Sequence, residues 1–340
     1  MKNPLLTIIF CGCYTLVFSQ NTDSAQFYFQ RGITEKGQKL FAVAAKDFDK
    51  AIHFNPQNTK AYIENGNVNL QMRRVDAALG NFTKANELEP SNQEVIQRLS
   101  DLYFDNRQFQ KAIDLVQKCN SCNDADRILG MSYYNLEDYA KAESFLKKAL
   151  AKNGQDAEAD YTLGRTYIEL EQEKNAIPYY QQAISIEPDK GTWIYELGLI
   201  YYNQEDYKDA LHFFTLAADK GYIKAGDYYE NFGFAELYTG DAQNGLKTLN
   251  DLLAKKPSST ELINNIAYAL YQTKRYDDAI AYYTKMMNLN PNDASSLYMI
   301  GMAFQRKGET GKGQKICDKA IQMDPSLARN RQKIESPGGL

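Results

Sequence analysis

A chain of 340 residues with 39 basic and 43 acidic side chains carries a formal charge of −4 and has no long run of Lys and Arg, which argues against a nucleic-acid partner. Hydrophobic residues make up 44% of it, enough for a packed interior and too little for a multi-span membrane protein. Length alone allows two or three globular domains, but internal repetition replaces that division with a continuous array.

The N-terminus reads MKNPLLTIIFCGCYTLVFSQ, with one positive charge at Lys2, an apolar run from Leu5 to Phe18 and a small Ser19 before Gln20. This is the layout of a secretory signal peptide, and the run falls short of the roughly twenty residues needed to span a bilayer. Residues 1–19 are therefore expected to be a cleaved signal and 20–24 a short linker. The expected location is exported, periplasmic or outer-membrane associated. A fully secreted form is one lesser alternative. A lipid anchor at Cys13 is another, disfavoured because Phe10 and Cys11 fit the preceding positions poorly, and an uncleaved anchor is the last.

From there one pattern repeats. Small residues recur at Gly32, Gly66, Ser100, Gly130, Gly164, Gly198, Gly233, Ala267 and Gly301, with spacings of 34, 34, 30, 34, 34, 35, 34 and 34. Twelve residues after each comes Ala44, Ala78, Ala112, Ala142, Ala176, Ala210, Gly245, Ala279 or Gly313. Seven further on stand Ala51, Ala85, Cys119, Ala149, Ala183, Ala217, Leu252, Met286 and Ala320. Pro56, Pro90, Pro188, Pro257, Pro291 and Pro325 close six of the units. Between these marks the apolar spacings of three, four and seven are those of two amphipathic helices. The small residues let two helix backbones approach, where a bulkier side chain would overpack.

The pattern resembles the tetratricopeptide repeat (TPR), a 34-residue helix–turn–helix unit. The resemblance implies an all-α fold, a right-handed α-α superhelical solenoid of about nine repeats with a short C-terminal capping helix. The repeats are placed at 25–58, 59–92, 93–122, 123–156, 157–190, 191–225, 226–259, 260–293 and 294–327, followed by a cap and frayed tail over 328–340. In the cap, Leu327, Arg331 and Ile334 share one face at helical spacing. Repeat one carries Glu35 in a slot usually aromatic. Repeat three loses four residues from its end. Pro178 is expected in or just beyond the first turn of its helix, where a missing N–H is tolerated. Gly245 and Gly313 replace alanine inside helices, at about 1 kcal/mol each, so repeats seven and nine are expected to be softer.

Chemistry is sparse. His53 and His212 lie in second helices of different repeats, and no P-loop, dinucleotide-binding or zinc-protease motif is present. Neither catalysis, nor a metal, nor a cofactor, nor a small-molecule substrate is expected. Cys119 and Cys122 read either as packing, with Cys119 in the inward alanine slot, or as a local disulfide of an exported protein. A redox motif is disfavoured, because a reactive thiol belongs at a helix N-terminus and this pair follows a helix C-terminus. Tyr103, Tyr133, Tyr167 and Tyr201, with Tyr139, Tyr207 and Tyr276, match packing positions within the repeats.

The resemblance further implies a concave groove lined by first helices, where an extended or helical peptide or protein partner binds. The candidate groove residues are Phe29, Ile63, Asn67, Arg127, Met131, Tyr161, Arg165, Tyr195, Leu199, Phe234, Asn264, Tyr268, Tyr298 and Met302. Tyr161, Tyr195, Tyr268 and Tyr298 are the expected anchors, since aromatics offer large apolar area at low entropy cost. No consecutive triple of Lys, Asn and Arg matches the carboxylate clamp of chaperone-binding members. The expected function is a non-catalytic interaction scaffold. The alternative is a structural subunit of a bacterial envelope or secretion complex, bound through its convex face or ends.

Overall fold

The computed structural model describes residues 23–329. The expected signal peptide, and the cap and tail beyond residue 329, lie outside the described residues. Those residues divide into two compact units, one up to Tyr179 and one from Tyr180.

All regular structure among the described residues is helical. The first unit contains α1 (residues 23–37), α2 (Phe41–Phe54), α3 (Thr59–Gln71), α4 (Val75–Leu88), α5 (Gln93–Asp105), α6 (Phe109–Val116), α7 (Ala125–Asn135), α8 (Tyr139–Lys152) and α9 (Ala157–Glu169). The division falls within α10 (Glu173–Ile186). The second unit continues with α11 (Gly191–Asn203), α12 (Tyr207–Asp219), α13 (Gly226–Tyr238), α14 (Ala242–Lys255), α15 (Thr260–Gln272), α16 (Tyr276–Leu289), α17 (Ala294–Arg306) and α18 (Thr310–Met323). A short 3₁₀ turn, Pro325–Leu327, follows α18. Within each unit the helices pack on their sequence neighbours. Alternate first helices also touch, α5 on α7 and α7 on α9 in one unit, α13 on α15 in the other. Each unit is therefore a stack of helical hairpins.

Local chemistry sets the ends. The side chains of Asn58, Asn92, Asp156, Ser259 and Asp293 accept from backbone N–H groups in the first turns of α3, α5, α9, α15 and α17, satisfying donors that a helix leaves open. The turn inside every hairpin places one residue in the left-handed region: Lys39, Arg73, Arg107, Glu137, Glu171, Glu205, Gly240, Lys274 and Gly308. In eight of these turns the next residue donates its N–H to the carbonyl five back, as Arg74 to Asn69 at 2.8 Å and Gln172 to Tyr167 at 2.8 Å, the closing bond of a Schellman-type cap. Seven of these nine left-handed residues carry side chains, against the usual preference for glycine there.

The hairpins close where a small residue meets a bulky one sixteen positions later. A Cβ built on Gly32, Gly66, Gly130, Gly198 or Gly233 would come within 2.7–2.8 Å of Phe48, Phe82, Leu146, Phe214 or Leu249 respectively. All five of those bulky side chains are fully buried. At Ser100 the hydroxyl is buried and donates to the Ile96 carbonyl at 2.8 Å.

Three expectations need correction. Gly245 is not a soft alanine position: a Cβ there would lie 2.7 Å from the Gly233 carbonyl and 2.9 Å from the Leu237 nitrogen. Gly313 meets the Gly301 carbonyl at 2.5 Å in the same way. These helix pairs cross too closely for alanine. Pro178 stands six residues into α10, deeper than expected, and leaves the Lys174 carbonyl without its helical donor. Finally, α6 stops at Val116, so Cys119 lies in the following loop, half-buried, and not in an inward helical slot.

Glu35 has a local explanation. Arg31 donates through Nη2 to Asp47 Oδ1 at 2.5 Å and through Nε to Oδ2. Asp47 is buried, and that hydrogen bond holds its carboxyl below the usual range. Beside this pair, burial and the Asp47 charge push the Glu35 carboxyl up. Repeat one replaces an aromatic contact with a polar cluster.

Candidate functional site

In the first unit, most candidates prove to be engaged. Phe29 is half-buried with its ring 5.9 Å from that of Phe48. Ile63 is buried in the cluster of Phe82, Val95 and Leu99, and Asn67 is half-buried. Arg127 forms ion pairs with Asp156 at 2.7 Å and Glu158 at 2.6 Å, tying α7 to the start of the next repeat. Its charge is answered within the fold. Met131 and Tyr161 are half-buried. The Arg165 guanidinium lies 5.5 Å from the Tyr134 ring centre and 5.9 Å from that of Tyr161, close enough for cation–π attraction to both.

The same unit holds a polar pocket of about 440 Å³ that the spacing of repeat three foreshadowed only as a deletion. One wall is α5, through Gln93, Glu94, Gln97, Arg98 and Asp101. The other is the loop after α6, through Ser121, Asn123 and Asp124. Gln97 Nε2 donates to Asp101 Oδ1 at 2.8 Å. Burial pushes the Asp101 carboxyl up against that bond's opposing effect. The loop is closed by a Cys119–Cys122 disulfide with Cα atoms 5.6 Å apart, which decides between the two readings of that pair.

In the second unit the tyrosines separate sharply. Tyr195 is 4% exposed, against the expectation of an open anchor. Its ring stacks on Tyr222 at 4.3 Å, and its hydroxyl accepts from Asn231 Nδ2 at 3.0 Å. Burial pushes that hydroxyl up to about 12. Tyr222 belongs to the loop of the 35-residue repeat, and that loop covers the face on which Tyr195 was expected to be open. Tyr298 is 5% exposed in a cluster with Met302, Cys317 and Leu327. Helical side chains lean toward their own N-terminus, so Tyr195 and Tyr298, five residues into their repeats, lie under neighbouring structure. Phe234 is likewise buried, in the cluster of Leu237, Leu249 and Ile266. Leu199 is half-buried.

Two candidates remain open. Tyr268 is 49% exposed, and Asn264, one turn before it on α15, is exposed. Near the start of α13 and α15 a cavity of about 260 Å³ is lined by Asp227, Glu230, Lys256 and Glu261, with Leu252 and Leu262 at its base. Burial, then the Glu261 charge, pushes the Glu230 carboxyl up. Among the described residues there is no group of His, Cys, Asp and Glu able to hold a metal, and no helix is long and apolar enough to cross a membrane.

Sequence profiles described as tetratricopeptide repeats match residues 128–151, 157–190 and 294–327, residues 260–293, and residues 194–219. No curated protein matches the chain. Among solved structures, the C-terminal part of a TPR repeat-containing protein from Cytophaga hutchinsonii is 18% identical, over 67% of this chain and 95% of that one, with a TM-score of 0.46. MamA is 17% identical over 48% of this chain and 92% of its own, with a TM-score of 0.44. YrrB, described as a TPR protein with an unusual peptide-binding site, is 23% identical over 68% and 99%, with a TM-score of 0.35.

Proposed function

The chain belongs to the tetratricopeptide-repeat family, and from that premise we propose that it is an exported, non-catalytic scaffold holding a protein or peptide partner against the first-helix face of its second unit. Repeats of this family build protein-interaction surfaces, which is the coarse function of the chain. The observation that carries the finer reading is Tyr268, whose ring is half in solvent beside the exposed Asn264. A tyrosine presents apolar area with a polar tip and loses little entropy when a partner covers it. On the same helix, Glu261 lies about two turns earlier, next to Asp227 and Glu230. The three carboxylates outnumber Lys256 in that cavity, a balance that favours a partner segment with basic and apolar side chains.

The test places a photo-crosslinker at residue 268 and, as control, at the exposed Lys285 on the second helix of the same repeat. A specific adduct from 268 alone is expected. Tyr268→Ala should weaken capture of that partner by roughly thirtyfold, the effect of a hot spot worth about 2 kcal/mol. Equal adducts from both positions, or undiminished capture, would remove the reading.

The disulfide supports export, because such bonds persist in oxidising compartments. Mass analysis of the mature N-terminus from the envelope fraction tests it, with Gln20 as the expected first residue. One observation favours the structural-subunit alternative: Phe27, Leu40 and Val43 of the first hairpin are 58%, 49% and 45% exposed. Deleting the first two repeats would abolish association under that alternative and largely spare it under the reading above.

A further inference from the structure

We propose that the Cys119–Cys122 disulfide is a redox-operated latch, which when closed holds the loop 117–124 as one wall of the polar pocket and when reduced releases it. The latch stands where repeat three lacks its last helical turn. Other second helices run 13 or 14 residues, as α4 and α12 do, but α6 has eight. Eight residues then reach α7 without helix and without the closing proline. Nor is the start of α7 capped by a side chain. Asp124 sits in the left-handed region at φ 56° and makes no cap hydrogen bond, unlike the residues before α5 and α9.

What else holds the loop is slight. Lys118 and Cys119 donate backwards to Leu115 and Val116, Gln117 Nε2 donates to the Tyr133 hydroxyl at 3.2 Å, and Asn120 N–H donates to Gln93 Oε1 at 2.7 Å. Asn120, Ser121, Asn123 and Asp124 are exposed, and the two cysteines are half-buried. The neighbouring core is built without them, from Ala112, Ile113 and Val116 of α6 against Ile128 and Leu129 of α7. Opening the bridge therefore frees the pocket wall while the hairpins stay packed. A segment with few buried apolar contacts and solvent-exposed backbone has low local stability, and here the crosslink restrains the backbone between its two cysteines.

The chemistry requires a dithiol reductant. One thiolate attacks a sulfur of the bridge, the S–S bond breaks, and a mixed disulfide forms with departure of the other cysteine as thiolate. The reductant's second thiolate then closes its own disulfide. Two electrons pass to the protein, and Cys119 and Cys122 each take up one of the reductant's two protons. The exposed flanks of the loop admit such a reductant.

Hydrogen exchange on the full chain tests the latch, comparing the oxidised protein, the protein in dithiothreitol and the Cys119→Ser/Cys122→Ser double variant. Alkylation of the 119–122 peptide reports whether the bridge has opened. Amides over residues 117–128 are expected to exchange at least about tenfold faster in both reduced protein and variant, with those of α15 and α16 unchanged. Unchanged exchange over 117–128 in either sample would overturn the proposal. So would a bridge that dithiothreitol does not open. Faster exchange through the whole first unit would overturn it too, since the bridge would then be a structural staple.

Discussion

Replacing Gly245 by alanine sets two effects against each other at one site. Helix propensity favours alanine by about 1 kcal/mol in a helix interior. The structure opposes it: the new Cβ would sit 2.7 Å from the Gly233 carbonyl oxygen, 2.9 Å from the Leu237 nitrogen and 3.0 Å from Leu237 Cγ. Two of these are backbone atoms of α13 and cannot rotate away, so α13 and α14 must separate where Leu237 and Leu249 are fully buried. Overpacking of this kind costs about 1–3 kcal/mol, leaving a net destabilisation on the order of 1 kcal/mol. Gly80 supplies the control. It too lies inside a second helix, α4, but is exposed with nothing within 4 Å of its Cβ. Gly80→Ala should therefore stabilise its hairpin by up to about 1 kcal/mol. Because repeat arrays lose cooperativity between units, the readout is hydrogen exchange of α13–α14 and α3–α4 amides, supported by urea unfolding. Gly313→Ala, with contacts down to 2.5 Å, should be worse than Gly245→Ala. If Gly245→Ala stabilised its hairpin as Gly80→Ala does, the close crossing described here would be wrong.

Other outcomes follow from single side chains. Asp160 is 4% exposed and its Oδ2 has no hydrogen-bond partner, so burial, aided by the Asp156 charge, pushes it up from 3.8 to about 6. A raised carboxyl favours the folded state while protonated, and that contribution fades as pH rises through about 6; Asp160→Asn should match the native protein near pH 4 and exceed it near pH 8. At about 1.4 kcal/mol per pH unit the ceiling is roughly 3 kcal/mol, and residual solvent screening brings the expected gain to about 1–2. A pH-independent difference in urea midpoints would refute it. Tyr195→Ala should cost about 3–5 kcal/mol by emptying a buried aromatic site, while Tyr268→Ala should change stability by less than about 1 kcal/mol; comparable losses in thermal unfolding would contradict their assigned environments. Glu171→Gly should stabilise its hairpin by up to about 1 kcal/mol, since glycine relieves the left-handed strain at φ 57°; a loss of stability would show that the Glu171 side chain holds the turn.

How much of this was legible depends on what each residue type can signal. The helix crossings were readable because only small residues fit there, so Gly66 opposite Phe82 or Gly198 opposite Phe214 leaves a mark every repeat. The hairpin turns use the left-handed region just as regularly, yet Arg73, Arg107 and Glu171 give no local signal. Their conformation follows from the fold, as neighbouring helix ends impose a turn that the side chain does not choose. The same limit governed the tyrosines. Spacing put Tyr195 and Tyr268 on one kind of face, but exposure is decided by what lies across from them. For Tyr195 that is Tyr222, carried by a one-residue insertion; nothing comparable covers Tyr268.

Repeat three extends this reasoning from single residues to a whole loop. Counting slots straight through it placed Cys119 where alanine packs elsewhere, because a deletion was assumed to trim the end of an intact helix. The helix instead stops at Val116. The residues after it had to find another restraint, and a bond between Cys119 and Cys122 costs less disruption than rebuilding an apolar contact in a chain of Asn, Ser and Asp. A periodic array tolerates such a defect because each hairpin is buried only by its neighbours. The core of α6 and α7 closes without the loop, and the loop is left free to line a pocket. Irregular units are thus where a repeat protein of this kind can carry chemistry that its regular units exclude.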